Sequence, residues 1–369
     1  MKIGIPREVK NHEYRVACTP AGVRELVSRG HEVVIETRAG EGSAFADDAY
    51  TLVGAQVLET ADEVWATADL VLKVKEPVAE EYSRLREDQV LFTYLHLAAS
   101  AECTDALLRS GITSIAYETV TGRDGSLPLL APMSEVAGRL APQAGSYHLM
   151  RSGGGRGVLM GGVPGTRPAK VTVIGAGVAG RNAAAVAVGM GADVTVLDLN
   201  IAPLRELDAQ YQGRIRTVIS NAQEVENSVR EADLVIGAVL VPGAKAPKLV
   251  SNELVAQMKP GSVLVDIAID QGGCFADSRP TTHAEPTYRV HDSVFYCVAN
   301  MPGAVPYTST VALTNATLPY VISLADKGWR EATAADPGLA AGLSTHRGML
   351  LSESVAAAHG YTAQSLSAA

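Results

Sequence analysis

Close-spaced cysteines are missing from this chain. Its four, Cys18, Cys103, Cys274 and Cys297, stand far apart, which argues against a disulfide framework or a paired-thiol zinc site and fits reduced thiols in the cytoplasm. Long apolar runs are missing too: no stretch of 18 residues lacks polar breaks, so no membrane-spanning helix is expected. The opening MKIGIPREVK has no apolar segment of signal length behind a basic start, so no secretory leader is expected. Positive charge is sparse: 31 Lys and Arg against 40 Asp and Glu give a formal net charge of −9. Without a basic block, nucleic acid and anionic membrane are poor partners. There is no HExxH pair and no Ser-His-Asp spacing, so neither metal-assisted nor serine-type hydrolysis is indicated, and no metal is expected.

What is present is an ordinary globular composition, 47% hydrophobic and 19% charged. A chain of 369 residues is long for one core, so two domains flanking a cleft are expected. Short apolar strands alternate with helical segments, the pattern of βαβ units on parallel sheets. Strands are predicted at 2–5, 32–36, 69–74, 89–95 and 113–117, and again at 171–174, 192–197, 234–238 and 263–267. Thr19-Pro20 and Ser100 read as helix starts. A helix is predicted from Ser134 to Met150 despite Pro142, another over 308–327, and the tail beyond is read as helical.

The strongest motif is VTVIGAGVAGRNAAAVAVGMGADVTVLD, Val171 to Asp198. Gly175 permits a tight turn, Gly177 admits a pyrophosphate to the backbone, and Gly180 lets the helix that begins around Val178 and Ala179 pack against the strand. The helix N-terminus suits a diphosphate. Asp198, 21 residues after Gly177, can accept both adenosine ribose hydroxyls and would repel a 2′-phosphate. Pro203 supplies no compensating cation, so NAD is expected over NADP. Val239 and Leu240, after a strand, would lie against the cofactor. Ser220 either bonds near the adenosine or is an ordinary loop hydroxyl.

Ligands of open parallel sheets bind outside the carboxyl ends of the strands. The polar residues there are Arg7 and Arg15, Lys73 and Lys75, His96 at the end of LFTYLH, and Asp270 in LVDIAIDQGG. Each has a plain alternative: Arg15 a surface ion pair, Lys75 a snorkelling side chain, His96 a core histidine, Asp270 a helix cap. Taken together they suggest a carboxylate clamp, proton-carrying groups and an acid facing a dinucleotide, which suits oxidation of a small carboxylate-bearing substrate.

Long blocks across the chain add a resemblance. IGIPREVKNHEYRVACTPAGV, LVLKVKEP, FTYLHLA, LPLLAPMSEVAGR, VIGAGVAG, LVIGAVLVPGAKAPKLV, LVDIAIDQGG and VANMPGAVPYTST resemble the bacterial L-alanine dehydrogenases, related to the NAD-binding subunit of proton-translocating transhydrogenase. The resemblance implies two Rossmann-like domains, with an NAD-binding domain (129–306) inserted into a catalytic domain (1–128 and 307–369). It also implies a homohexamer. The implied reaction is the reversible conversion of L-alanine, NAD and water to pyruvate, ammonium and NADH.

By that resemblance Arg15 holds the substrate carboxylate, Lys75 holds carboxylate or carbonyl oxygen, His96 is the acid/base, and Asp270 activates water or ammonia. Tyr94, Met133 and Asn300 line the substrate side. Ser134, Gly177, Asp198, Ser220, Val239, Ile267, Asp270, Asn300 and Met301 form the cofactor side. Family members commonly carry Lys or Arg where Pro203 stands here, a departure that leaves still less support for NADP and does not bear on catalysis. A transhydrogenase subunit, a saccharopine-type dehydrogenase and a catalytically silent NAD-binding regulator are the competing readings; retention of Arg15, Lys75, His96 and Asp270 together argues against the last.

Overall fold

The computed structural model describes residues 1–239 and 246–366. The chain divides into two compact units, Met1–Met133 with Val305–Ala369, and Ser134–Ala304. Among the described residues the strands run, in chain order, β1 (Lys2–Ile5), β2 (Glu32–Glu36), β3 (Gln56–Leu58), β4 (Leu70–Leu72), β5 (Val90–Thr93), β6 (Thr113–Ala116), β7 (Lys170–Ile174) and β8 (Asp193–Asp198). They continue with β9 (Ile215–Ile219), β10 (Leu234–Gly237), β11 (Val263–Asp266), β12 (Thr287–Val290), β13 (Ser293–Tyr296), β14 (Leu343–His346) and β15 (Met349–Leu350).

The first unit holds an eight-stranded sheet ordered β15-β14-β6-β5-β4-β1-β2-β3. The six strands from β6 to β3 are parallel, so all their carboxyl ends lie on one edge. Strand order reverses at β1 and β4, the place in open parallel sheets where ligands bind outside the carboxyl ends. The expected helical tail is corrected here: β14 pairs antiparallel with β6, and β15 with β14. These are two short segments, LSTH and ML, with too little alternation to be read as strands locally.

The second unit holds a seven-stranded sheet ordered β12-β13-β11-β10-β7-β8-β9, parallel except for β12. Its reversal lies at β7 and β10. Alternate side chains feed two cores: Val263, Val265, Leu234 and Ile236 enter one, while Leu264 and Val235 enter the other. That period of two is why its central strands read as continuous apolar runs.

Local signals place the helices. Thr19 caps Pro20–Ser28, its hydroxyl accepting from Gly22 N at 3.2 Å, and Ser100 caps Ala101–Ser110 through Cys103 N. Helix Ala131–Leu149 tolerates Pro142. The long helix beginning at Pro306 is broken at Gly328, where φ is 74° and ψ 158°, matching the predicted end at Lys327. No helix of the described residues is long and apolar enough to cross a membrane.

Candidate functional site

In the first unit the carboxyl ends of β1, β4, β5 and β6 bring together side chains that lie far apart in the chain. Arg15, after β1, is 2% exposed, which rules out the surface ion pair. Its guanidinium forks onto Glu13, Nε donating to Oε1 at 2.6 Å and Nη2 to Oε2, while Nη1 reaches the Met133 sulfur at 3.0 Å. Burial pushes the Glu13 carboxyl up, but Arg15 and the nearby Lys75 ammonium outweigh it and the net direction is down. Burial likewise opposes the charge on Arg15, and Glu13 overrides it, raising the guanidinium pKa. Arg15, Lys75 and Glu13 thus form one charged cluster.

Lys73 and Arg7, also read as strand-end cations, are committed elsewhere. The Lys73 ammonium, fully buried, lies 3.1 Å from Glu8 and 2.8 Å from Glu81. Arg7 donates its backbone N–H to Glu36 at 2.8 Å, with its Nε 3.5 Å from the same carboxylate. Glu8 also accepts from the backbone N–H of Val74 at 2.6 Å and of Lys75 at 3.4 Å, tying the segment that carries Lys75 to the segment after β1.

His96 is not a core histidine: its side chain is 39% exposed. Its Nδ1 lies 3.2 Å from Glu76 Oε2, and the other Glu76 oxygen pairs with Lys10. Burial raises the Glu76 carboxyl, but His96 and Lys10 together bring it down to about 2. Glu76 is therefore ionised near neutrality and can only accept, so the Nδ1 of His96 is the donor of this pair. Tyr94, 3% exposed, stacks on the imidazole at 5.9 Å between centroids and donates its hydroxyl to Leu129 O. Burial pushes its phenol pKa up, so it acts as a donor rather than an anion.

In the second unit the glycine turn follows β7 as expected. Gly175 has φ 105°, and a Cβ there would meet Ala238 O at 2.7 Å. At Gly180 an added Cβ would lie 1.8 Å from Gly175 O. Gly177 has no atom within 4 Å of an added Cβ, so its open side admits a ligand to the backbone. Helix Val178–Gly189 starts there, directing its first N–H groups at the opening. Asp198, ending β8, accepts from Ala176 N at 2.6 Å and Asn200 N at 2.7 Å, which sets the acid beside the glycine turn.

Ser220 follows β9, its N–H donating to Asp198 O at 2.9 Å, and Val239 follows β10 at the strand-order reversal. Leu240 lies outside the described residues. Ser134 is in the first turn of its helix. Asn300 has φ 61°, its carbonyl accepting from Gly303 N, and Met301 is buried, 3% exposed.

One expectation is corrected: Asp270 does not end a strand. β11 stops at Asp266, and Asp270 is an exposed residue of the short 3-10 turn Ile267–Gln271. Asp266 instead takes the strand-end position and is fully buried. It accepts from Ala268 N at 3.0 Å, Cys274 N at 2.9 Å and the Ser278 hydroxyl. Burial raises its carboxyl pKa despite these donors. Lys248 binds the far end of the same loop, donating to Gly272, Gly273 and Phe275 carbonyls within 2.9 Å. Apolar Ile267 and Ile269 made the strand seem longer than it is. Among the described residues no group of three or more His, Cys, Asp or Glu suits a metal ion.

The model of the alanine dehydrogenase/PNT N-terminal domain matches residues 4–137, and that of the C-terminal domain matches 141–353. The chain belongs to the alanine dehydrogenase/PNT family. It is 70% identical over 356 residues to an alanine dehydrogenase of Mycolicibacterium smegmatis, covering 96% of each chain. A solved L-alanine dehydrogenase matches with a TM-score of 0.95 at 52% identity, covering 98% of this chain and 99% of that one. A solved transhydrogenase of Sinorhizobium meliloti matches with a TM-score of 0.83 at 28% identity, covering 95% and 100%.

Within this alanine dehydrogenase/PNT framework, sequence reading missed the carboxylates Glu8, Glu13, Glu76, Glu118 and Asp266. The available signal was the strand-end rule itself, since Glu8, Glu13 and Glu76 stand beside the cations it singled out. Glu118 and Asp266 follow the same rule at β6 and β11.

Proposed function

We propose that this chain catalyses the reversible, NAD-dependent oxidative deamination of L-alanine to pyruvate and ammonium, with the first unit as catalytic domain and the second as NAD domain. The observation that carries the reading is the strand-end cluster of the first unit: a buried guanidinium, an ammonium and a half-open imidazole at one sheet edge, in a chain whose relatives are alanine dehydrogenases. The higher identity to the solved alanine dehydrogenase than to the solved transhydrogenase favours an amino acid over a second nucleotide as hydride donor.

Arg15 and Lys75 set two positive charges beside Glu13, a cluster suited to a substrate carboxylate. Arg15 turns Nε and Nη2 to Glu13 and Nη1 to Met133, and we infer that it holds the substrate carboxylate. Lys75 steadies the developing carbonyl oxygen. His96 moves the proton of the carbonyl or hydroxyl, and Asp270 activates water or ammonia. Tyr94 and Met133 limit the room around the substrate methyl. A closely fitting pocket separates one added methylene by about 1–3 kcal/mol.

The second unit fits a dinucleotide on its own geometry: the open side of Gly177, the helix N-terminus at Val178 and the acid Asp198. Bound NAD supplies the hydride acceptor. Asp198 accepts the ribose hydroxyls and disfavours NADP; Ser134, Ser220, Val239, Ile267, Asn300 and Met301 complete the cofactor side. The assembly we infer is a cytoplasmic homohexamer.

The test is NADH formation with L-alanine and the reverse reaction with pyruvate and ammonium, with L-serine, glyoxylate and 2-oxobutyrate as comparisons. His96→Ala lowers turnover by roughly 100-fold or more while NAD binding persists, and Asp270→Ala lowers turnover on the same scale. Unchanged turnover in both variants rejects the assigned chemistry.

A further inference from the structure

We propose that Glu118 is a positioning residue for this reaction, its carboxylate fixing the backbone at His96 so that the imidazole is aimed. The proposal rests on the reading that His96 moves the substrate proton. His96 has φ 49° and ψ 33°, a left-handed conformation that is uncommon for a residue with a side chain and persists only where the surroundings impose it. The β5–β6 ladder ends with Thr93 opposite Ala116. Beyond it the chain turns away, and the N–H groups of Leu95 and His96 lose their strand partner. Glu118, two residues past Ala116, replaces it: Oε1 accepts from His96 N at 2.7 Å, and both oxygens lie 3.1–3.2 Å from Leu95 N.

The neighbouring strand on the other side completes the grip. Glu76, after β4, holds the ring through Nδ1, and the sheet order β6-β5-β4 places one carboxylate on each side of the His96 segment. Glu118 fixes where the backbone turns and Glu76 fixes the ring through Nδ1. Glu118 itself is bonded to backbone donors, so it acts through His96 and not on the substrate.

Glu118→Ala lowers kcat by roughly 30–100-fold, the scale of an ångström-sized displacement of a reacting group. KM for L-alanine and for NAD stays within about threefold, because Arg15 and the glycine turn are untouched. Introduced into the His96→Ala enzyme, the same substitution produces no further loss, since there is no imidazole left to aim. Glu118→Gln, whose amide oxygen still accepts, restores most of the activity. Glu118→Asp, which keeps the charge and shortens the reach, reproduces the coupling in milder form and carries the test should the alanine variant not fold. Unchanged kcat in the alanine variant, or equal losses with and without His96, overturns the proposal. A wild-type chain that makes no NADH from L-alanine overturns the function as well, which separates the two failures.

Discussion

Lys73 and Lys75 provide a sharp test, because two lysines separated by a single residue serve opposite ends. Lys73 is fully buried between Glu8 and Glu81, each 2% exposed at the side chain. Lys73→Met keeps most of the volume but leaves two carboxylates facing each other without a cation. Breaking a buried ion network this way costs about 3–5 kcal/mol. In a domain of 150–250 residues each kcal/mol lowers Tm by about 2–4 °C, so a fall of roughly 6–20 °C is expected. Lys75→Met removes a partly exposed charge near Glu13, where the proposed function puts the substrate. It lowers turnover by about 100- to 1,000-fold, the usual loss when one stabilising group is deleted, and moves Tm by no more than about 3 °C. Paired calorimetry and initial-rate NADH assays read both quantities. A Lys73→Met protein that melts with wild type, or a Lys75→Met enzyme with normal turnover, refutes the division of labour.

Further outcomes follow from the same geometry. Asp198→Ala weakens NAD binding by about 10- to 150-fold, the value of hydrogen bonds to a charged group, and narrows the preference over NADP, as titration calorimetry with both nucleotides reads. Gly180→Ala places a methyl 1.8 Å from Gly175 O, so the helix must shift; nucleotide affinity measured by fluorescence quenching falls at least tenfold, roughly the effect of losing one contact of about 1.4 kcal/mol. The Glu76 carboxyl, held at about 2 against an ordinary 4.5, contributes stability that is fully present above pH 4.5 and lost as pH falls toward 2. The linked amount is on the order of 3 kcal/mol. Urea titrations of wild type and Glu76→Gln should therefore differ most above pH 4.5 and converge near pH 2, and a constant difference across that window contradicts the assignment.

The local grammar of this protein was legible in the chain. The glycine turn announced itself because Gly175 and Gly180 satisfy steric demands set by residues adjacent in sequence or one strand away. Thr19, Ser100 and the break after Lys327 are signals contained within a single turn of helix. Parallel strands buried on both faces, such as Val263–Asp266, leave an apolar run that needs no partner to be recognised, although it concealed where β11 stops and the Asp270 turn begins. What the tertiary structure alone decided is which charge meets which. Lys73 finds Glu8 across 65 residues, His96 finds Glu118 across 22, and β6 finds β14 only after the chain has passed through the second unit. Periodicity and capping are properties of neighbours along the chain, whereas the pairing of buried charges depends on crossovers that bring distant strand ends to one edge. That is why Arg15, Lys75 and His96 could be singled out from the sequence as strand-end groups, and the carboxylates beside them could not.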